Sequence, residues 1–102
     1  MNKYLLHGKL TAIVGHRDEL AGILMKASEL VATAKGCKLY VVGLDKDDIH
    51  SVYVTEIWDS KEDHDNSLNV NGVKDLIATA ILILEGKPSR GQELEVLGGT
   101  GL

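Results

Sequence analysis

Along YLLHGKLTAIV, residues 4–14, side chains alternate between Leu6, Gly8, Leu10, Ala12 and Val14 on one side and Leu5, His7, Lys9, Thr11 and Ile13 on the other. A period of two predicts a strand, here with both faces partly covered. From His16 the period lengthens: Leu20, Ile23, Leu24, Ala27, Val31 and Ala34 fall on one stripe of a helix from Arg17 to Lys35. Gly36 then stands where a left-handed cap is expected. CKLYVVGL (37–44) and SVYVTEIW (51–58) are rich in β-branched and aromatic residues and flank the polar turn DKDDIH. They predict an antiparallel hairpin. Ser60 is a good N-cap, with Asp63 completing a box-like start, so the chain to about Leu68 favours helix. Asn69 to Gly72 interrupts it. A stripe of Val73, Leu76, Ile77, Ala80, Ile81 and Leu84 resumes helix until GKPSRG, where Gly86 and Pro88 stop it. A last strand is expected from Glu93 to Leu97.

The order β-α-β-β-α-β is the α+β, ferredoxin-like arrangement, an antiparallel four-stranded sheet with helices on one face. Apolar side chains on both faces of the first three strands demand a second cover, and a homodimer in which two sheets pack together supplies one. At 102 residues, the whole of 1–102 is expected to be one domain. A chain of this size buries roughly two thirds of its unfolded surface. The 44% hydrophobic content is enough to do so without metal or disulfide support.

The 11 Lys+Arg and 15 Asp+Glu give a net charge of −4. The cations are scattered, which argues against nucleic acid as a partner. Cys37 is the sole cysteine, so no intrachain disulfide forms. With apolar neighbours on its side of the strand it reads as a small buried hydrophobe rather than a nucleophile. No charged-then-apolar leader precedes Tyr4, and a cytoplasmic location is expected. The apolar run Ile77 to Leu84 is too short to cross a bilayer, so no membrane partner is expected. Histidines 7, 16, 50 and 64 never recur at i, i+3 or i, i+4, DKDD lacks the ligand spacing of a calcium loop, and no metal site is expected. GGTGL lacks the lysine and following helix of a phosphate cradle, and no dinucleotide fingerprint is present. That tail is expected to fold over the dimer.

The candidate chemistry lies in EIWDSKEDHDNSL, residues 56–68. Glu56 and Trp58, two apart on a strand, share a face with Val52 and Val54. If that face meets the helices, a buried Glu56 has a raised pKa or holds an imidazole in place; the alternative is a strand-end glutamate bonded to backbone or lysine. Trp58 is either a flat wall for an aromatic ligand or simply core. His64 shares a helix face with Ser67 and Leu68, so an inward Leu68 carries it towards the sheet and Trp58. There it would take a proton from a phenol; among Glu62, Asp63 and Asp65 it reads equally as a solvated side chain. His7 and Tyr40 line either the pocket or the dimer face, according to strand orientation. The candidate catalytic residues are therefore His64 and Glu56, and the candidate substrate contacts are Trp58, Ser67, Leu68, Tyr40 and His7.

AIVGHRDELAGIL, GCKLYVV, VYVTEIWDSKEDHDNSL and the closing LEVLGGTGL, in that order, resemble the antibiotic biosynthesis monooxygenase domain family over nearly the whole chain. The EDHDNSL variant looks like a bacterial branch described as quinol monooxygenases. The resemblance implies a dimeric α+β barrel with an apolar pocket in each subunit between sheet and helices. It also implies oxygenation of phenolic or quinol-type aromatics by O2 with no flavin, haem or metal cofactor. Many members place a histidine nine residues after the motif tryptophan, a position held here by Ser67, whereas His64 lies six residues after Trp58. Related haem-degrading proteins place an iron-ligating histidine where this chain has Leu68, which cannot ligate iron.

Three functions are compatible with these features. The first is a cofactor-independent monooxygenase in which His64, assisted by Glu56, deprotonates a small aromatic held against Trp58. The second is a non-catalytic dimeric module that binds or senses an apolar metabolite. Haem binding or degradation is a distant third.

Overall fold

The computed structural model describes residues 2–87 and 91–102. Four strands, β1 (Lys3–Thr11), β2 (Cys37–Leu44), β3 (Ser51–Trp58) and β4 (Gln92–Val96), form one sheet in the order β2-β3-β1-β4. Every neighbouring pair is antiparallel. Three helices, α1 (Arg17–Val31), α2 (Lys61–Ser67) and α3 (Val73–Leu82), complete the ferredoxin-like α+β fold that the alternation of periods implies.

Local chemistry accounts for most boundaries. Asp45 Oδ1 accepts hydrogen bonds from the backbone N–H groups of Asp47 and Asp48, at 2.8 and 3.0 Å, and closes the β2–β3 turn. Ser60 Oγ accepts from the Asp63 N–H at 3.0 Å, the cap expected of that serine. Gly36 has φ +82°, and a Cβ built there would strike the Asp63 carboxylate. Only glycine reconciles that left-handed turn with a helix packed so close. Gly72, at φ +94°, is likewise left-handed and stands at the N-cap of α3.

Two boundaries differ from the periodicity. The α1 helix ends at Val31 rather than Lys35. The α3 helix ends at Leu82, before the expected stop; of the stop residues themselves, Pro88 lies outside the described residues. Ile83 to Glu85 instead run antiparallel to the end of β1: Ile13 N–H donates to Ile83 O, and Glu85 N–H donates to Thr11 O, both at 2.8 Å. The change of conformation buries Ile83 and Leu84. Leu84 is held there by an isolated antiparallel bridge to Ala12.

The register gives the sheet two distinct faces. Tyr4, Leu6, Gly8 and Leu10 stand opposite Trp58, Glu56, Val54 and Val52 on the helix side. Leu5 and His7 stand opposite Ile57 and Thr55 on the other side, which no described helix covers. The core beneath the helices divides into two clusters. One gathers Ala12, Leu20, Val52, Ala80, Ile83 and Leu84; the other gathers Val31, Trp58 and Val73, with Tyr4, Cys37 and Tyr40 packed against it.

Candidate functional site

Between those two clusters the helices stand off the sheet and leave a cavity of about 150 Å³. The α1 stripe supplies Ile23, Leu24, Ala27 and Val31, and α3 supplies Val73, Leu76, Ile77 and Ala80. Polar groups enter from three places: Tyr40 on β2, Glu56 on β3, and His64 with Ser67 on α2. Leu68, just beyond α2, and Ile77 are 37% and 39% exposed and mark the mouth.

Glu56 reaches the cavity because an even position of β3 must face the helices, and it is only 9% exposed there. Trp58, two residues on and fully buried, donates its Nε1–H to Glu56 Oε1 at 3.0 Å. Burial pushes the Glu56 pKa up, while the Trp58 N–H and the His64 ring pull it partly back. The His64 ring is held edge-on to Trp58 at 5.9 Å between centroids and tilted against Tyr4 at 5.6 Å. Its Nε2 lies 3.8 Å from Glu56 Oε1, and its Nδ1 lies 3.0 Å from Asp65 Oδ1. Lys61 Nζ donates to the other Asp65 oxygen at 3.1 Å. A line of polar groups thus runs from the exposed Lys61 through Asp65 and His64 to Glu56 and the buried indole.

The phenols beside this line stay protonated. Tyr40, opposite Glu56 across the β2–β3 pair, has its pKa pushed well above the usual phenol value by burial and then by the Glu56 charge. Tyr4 is pushed up to about 12, first by burial and then by its 2.9 Å hydrogen bond to Glu93 Oε2. Ser67 Oγ donates to the His64 carbonyl at 2.5 Å, so its hydroxyl proton is already engaged within α2. Burial also raises the Cys37 thiol, which sits in the second core cluster as a neutral apolar group. The arrangement can therefore accept a proton at a desolvated carboxylate and imidazole and offer a neutral tyrosine hydroxyl as donor.

The sequence-derived candidates fall into three groups. Glu56, His64, Ser67, Leu68 and Tyr40 come together on the cavity wall. Trp58 does not line the cavity: it lies behind Glu56 as core and reaches the site through its N–H alone. His7 is on the opposite sheet face, stacked on Tyr53 at 5.5 Å and bonded to Thr55 Oγ1 at 2.9 Å. The expected contact of His7 with a substrate is thereby corrected, for an odd position of β1 points away from the helices. Strand alternation puts Trp58 on the face of Glu56, but an indole packed behind a carboxylate is hidden from the space the carboxylate faces. Sequence reasoning missed the aliphatic walls of α1 and α3, whose stripes look the same whether they meet a core or a void. It also missed Tyr4, which the register sets beside Trp58.

Among the described residues no set of three or more His, Cys, Asp or Glu side chains converges as ligands for a metal ion. No described helix is long and apolar enough to cross a membrane.

No curated protein matches the chain at a significant level. Among solved structures, a candidate antibiotic biosynthesis monooxygenase from Chloroflexus aurantiacus J-10-fl is 35% identical, covers 97% of each chain and has a TM-score of 0.86. A candidate of the same kind from Nitrosomonas europaea, 12% identical over 98% of this chain and 95% of its own, shares the fold with a TM-score of 0.89. A mutant form of SnoaB, a cofactor-independent oxygenase from Streptomyces nogalater, shares it at 10% identity over the full length of both chains, with a TM-score of 0.81. The sequence profile described as Antibiotic biosynthesis monooxygenase matches residues 4–79, and with its cavity between sheet and helices the chain belongs to that family.

Proposed function

We propose that residues 1–102 act as one domain, a cytoplasmic, homodimeric, cofactor-independent monooxygenase that oxidises a small phenolic or quinol-type ring with O2. The observation that carries this reading is the meeting of a desolvated Glu56 carboxylate and the His64 imidazole, 3.8 Å apart, on the wall of an otherwise aliphatic cavity. The ring enters past Leu68 and Ile77 and leaves its water behind. His64 Nε2, with Glu56 beside it, takes the hydroxyl proton. Asp65, accepting at Nδ1, holds the neutral ring with its Nε2 lone pair turned to the cavity and stabilises the imidazolium once formed. The electron-rich anion then reduces dioxygen directly. One oxygen atom bonds to a ring carbon in place of hydrogen, and the other leaves as water with two hydrogens of the substrate. The ring supplies all four electrons, so the balance needs no other reductant.

The homodimer rests on the uncovered sheet face. There β4 turns Leu94 and Val96 outward while Glu93 and Glu95 lie on the helix side, opposite Leu6 and Tyr4. Val41 and Leu94 are about half exposed. A strand with its apolar set away from the helices gains burial only from a second sheet.

Oxygen uptake by metal-free protein on a panel of phenols and hydroquinones tests the activity. Turnover that falls about 100-fold or more in His64→Ala is expected of a positioned base. No uptake on any compound, or rates unchanged by that substitution, refutes it. Capture of a ring without conversion remains the competing reading, favoured by Ser67 standing where many family members carry histidine. A ligand-induced rise in Tm with no product identifies it.

A further inference from the structure

The polar side chains of the cavity are not distributed around it. Tyr40 and Glu56 are cross-strand neighbours, and His64 faces Glu56. Tyr40 also packs against the cluster of Val31, Trp58 and Val73, so these three stand at that end, and the fourth polar group, Ser67, is bonded to the His64 carbonyl beside them. The far end belongs to the other cluster, through Ala80, Ile23 and Leu24, and presents no polar side chain. At about 150 Å³ the space is comparable to an aliphatic cavity of roughly 150 Å³ that admits benzene. It takes one ring.

Resting on the function proposed above, we infer that the site selects a single-ring catechol carrying an alkyl group opposite its two adjacent hydroxyls, rather than a 1,4-hydroquinone. Neighbouring hydroxyls both reach the polar end. One is deprotonated by the His64–Glu56 pair, and the other accepts from the neutral Tyr40 hydroxyl or donates to Glu56. The alkyl group lies among Ile23, Leu24 and Ala80. A hydroquinone turned the same way strands its second hydroxyl among aliphatic side chains, and an unpaired hydroxyl there weakens binding by about tenfold or more.

Anaerobic calorimetric titration of the native protein with 4-methylcatechol, 4-methylphenol and 1,4-hydroquinone tests this without turnover. The catechol is expected to bind at least about tenfold more tightly than the hydroquinone and severalfold more tightly than the phenol. Hydroquinone binding as tightly as the catechol overturns the inference, and so does binding by none of the three. A phenol as tight as the catechol removes the second hydroxyl from the recognition and overturns it equally. Catechol, titrated alongside, is expected to bind the native protein more weakly than 4-methylcatechol, and Ala80→Leu, which fills the far end, is expected to abolish that difference. Equal weakening of both would show that the alkyl group points elsewhere. Should that variant not fold, the native series decides alone. Tight catechol binding without oxygen uptake keeps the selectivity and removes the monooxygenase reading on which it rests.

Discussion

Replacing Trp58 by Phe keeps a buried ring but removes the N–H that Glu56 Oε1 accepts at 3.0 Å. A hydrogen bond to a charged group contributes about 1.5–3 kcal/mol, and the buried Glu56 carboxylate has little water to replace it. Because that bond favours the ionised form, its loss raises the Glu56 midpoint above its already elevated native position. At about 1.4 kcal/mol per pH unit the rise is about one to two units. Titration of the Glu56 carboxyl carbon by 13C NMR, in protein free of ligand, reads it directly. Linkage gives a second readout. A carboxyl whose folded pKa is raised loses nothing below its unfolded value near 4.5, and its destabilisation grows as pH climbs from there to the folded midpoint. Trp58→Phe should therefore lose more stability, relative to the native chain, at pH 8 than at pH 4. The control is Val73→Ala, which loosens the same cluster but leaves the donor in place. A Glu56 midpoint that stays put in Trp58→Phe, or moves equally in Val73→Ala, refutes the assignment of the indole as the group that holds the carboxylate.

Two further outcomes are expected. Gly36→Ala should lower stability by about 2 kcal/mol or more, since the left-handed backbone alone costs about 1–2 kcal/mol and the new methyl meets the Asp63 carboxylate. In a thermal melt that is a loss of about 8 °C or more, and an unchanged Tm would contradict the packing of α2 against the Gly36 turn. Asp65→Ala should release His64 from the Nδ1–H tautomer, visible in 15N spectra as a shift towards Nε2–H with the fold intact. A native protein already in the Nε2–H form would remove Asp65 from the site.

The elements most legible in the sequence were those fixed by a single local signal. Ser60 with Asp63 caps α2, Asp45 turns the β2–β3 hairpin, and Gly36 is left-handed, each as side-chain chemistry or steric freedom demands. What local reading could not supply was register and depth. Whether Tyr40 or His7 meets the helices depends on which strand neighbours which, and the pairings Tyr40 with Glu56 and His7 with Thr55 answer oppositely for the two. Leu84 continued the helical stripe on paper, yet it bridges to Ala12 as extended chain. That long-range pairing outweighs the helical propensity of one more turn. Glu56 and His64 were legible as candidates because a carboxylate on an inward strand position and an imidazole one helix away are costly to place without partners. Their shared cavity was implied by the family resemblance and not by the pattern of residues, because an aliphatic stripe carries no record of whether its neighbour is side chain or open space.

The gap between the two aliphatic clusters also governs how this molecule answers compression. Unfolding eliminates empty internal volume, so hydrostatic pressure drives the chain towards its smaller, hydrated, unfolded form. Across that gap α1 and α3 are held off the sheet by the two clusters alone. Any occupant of the right size becomes a strut, and the protein should resist kilobar pressures better when loaded than when empty.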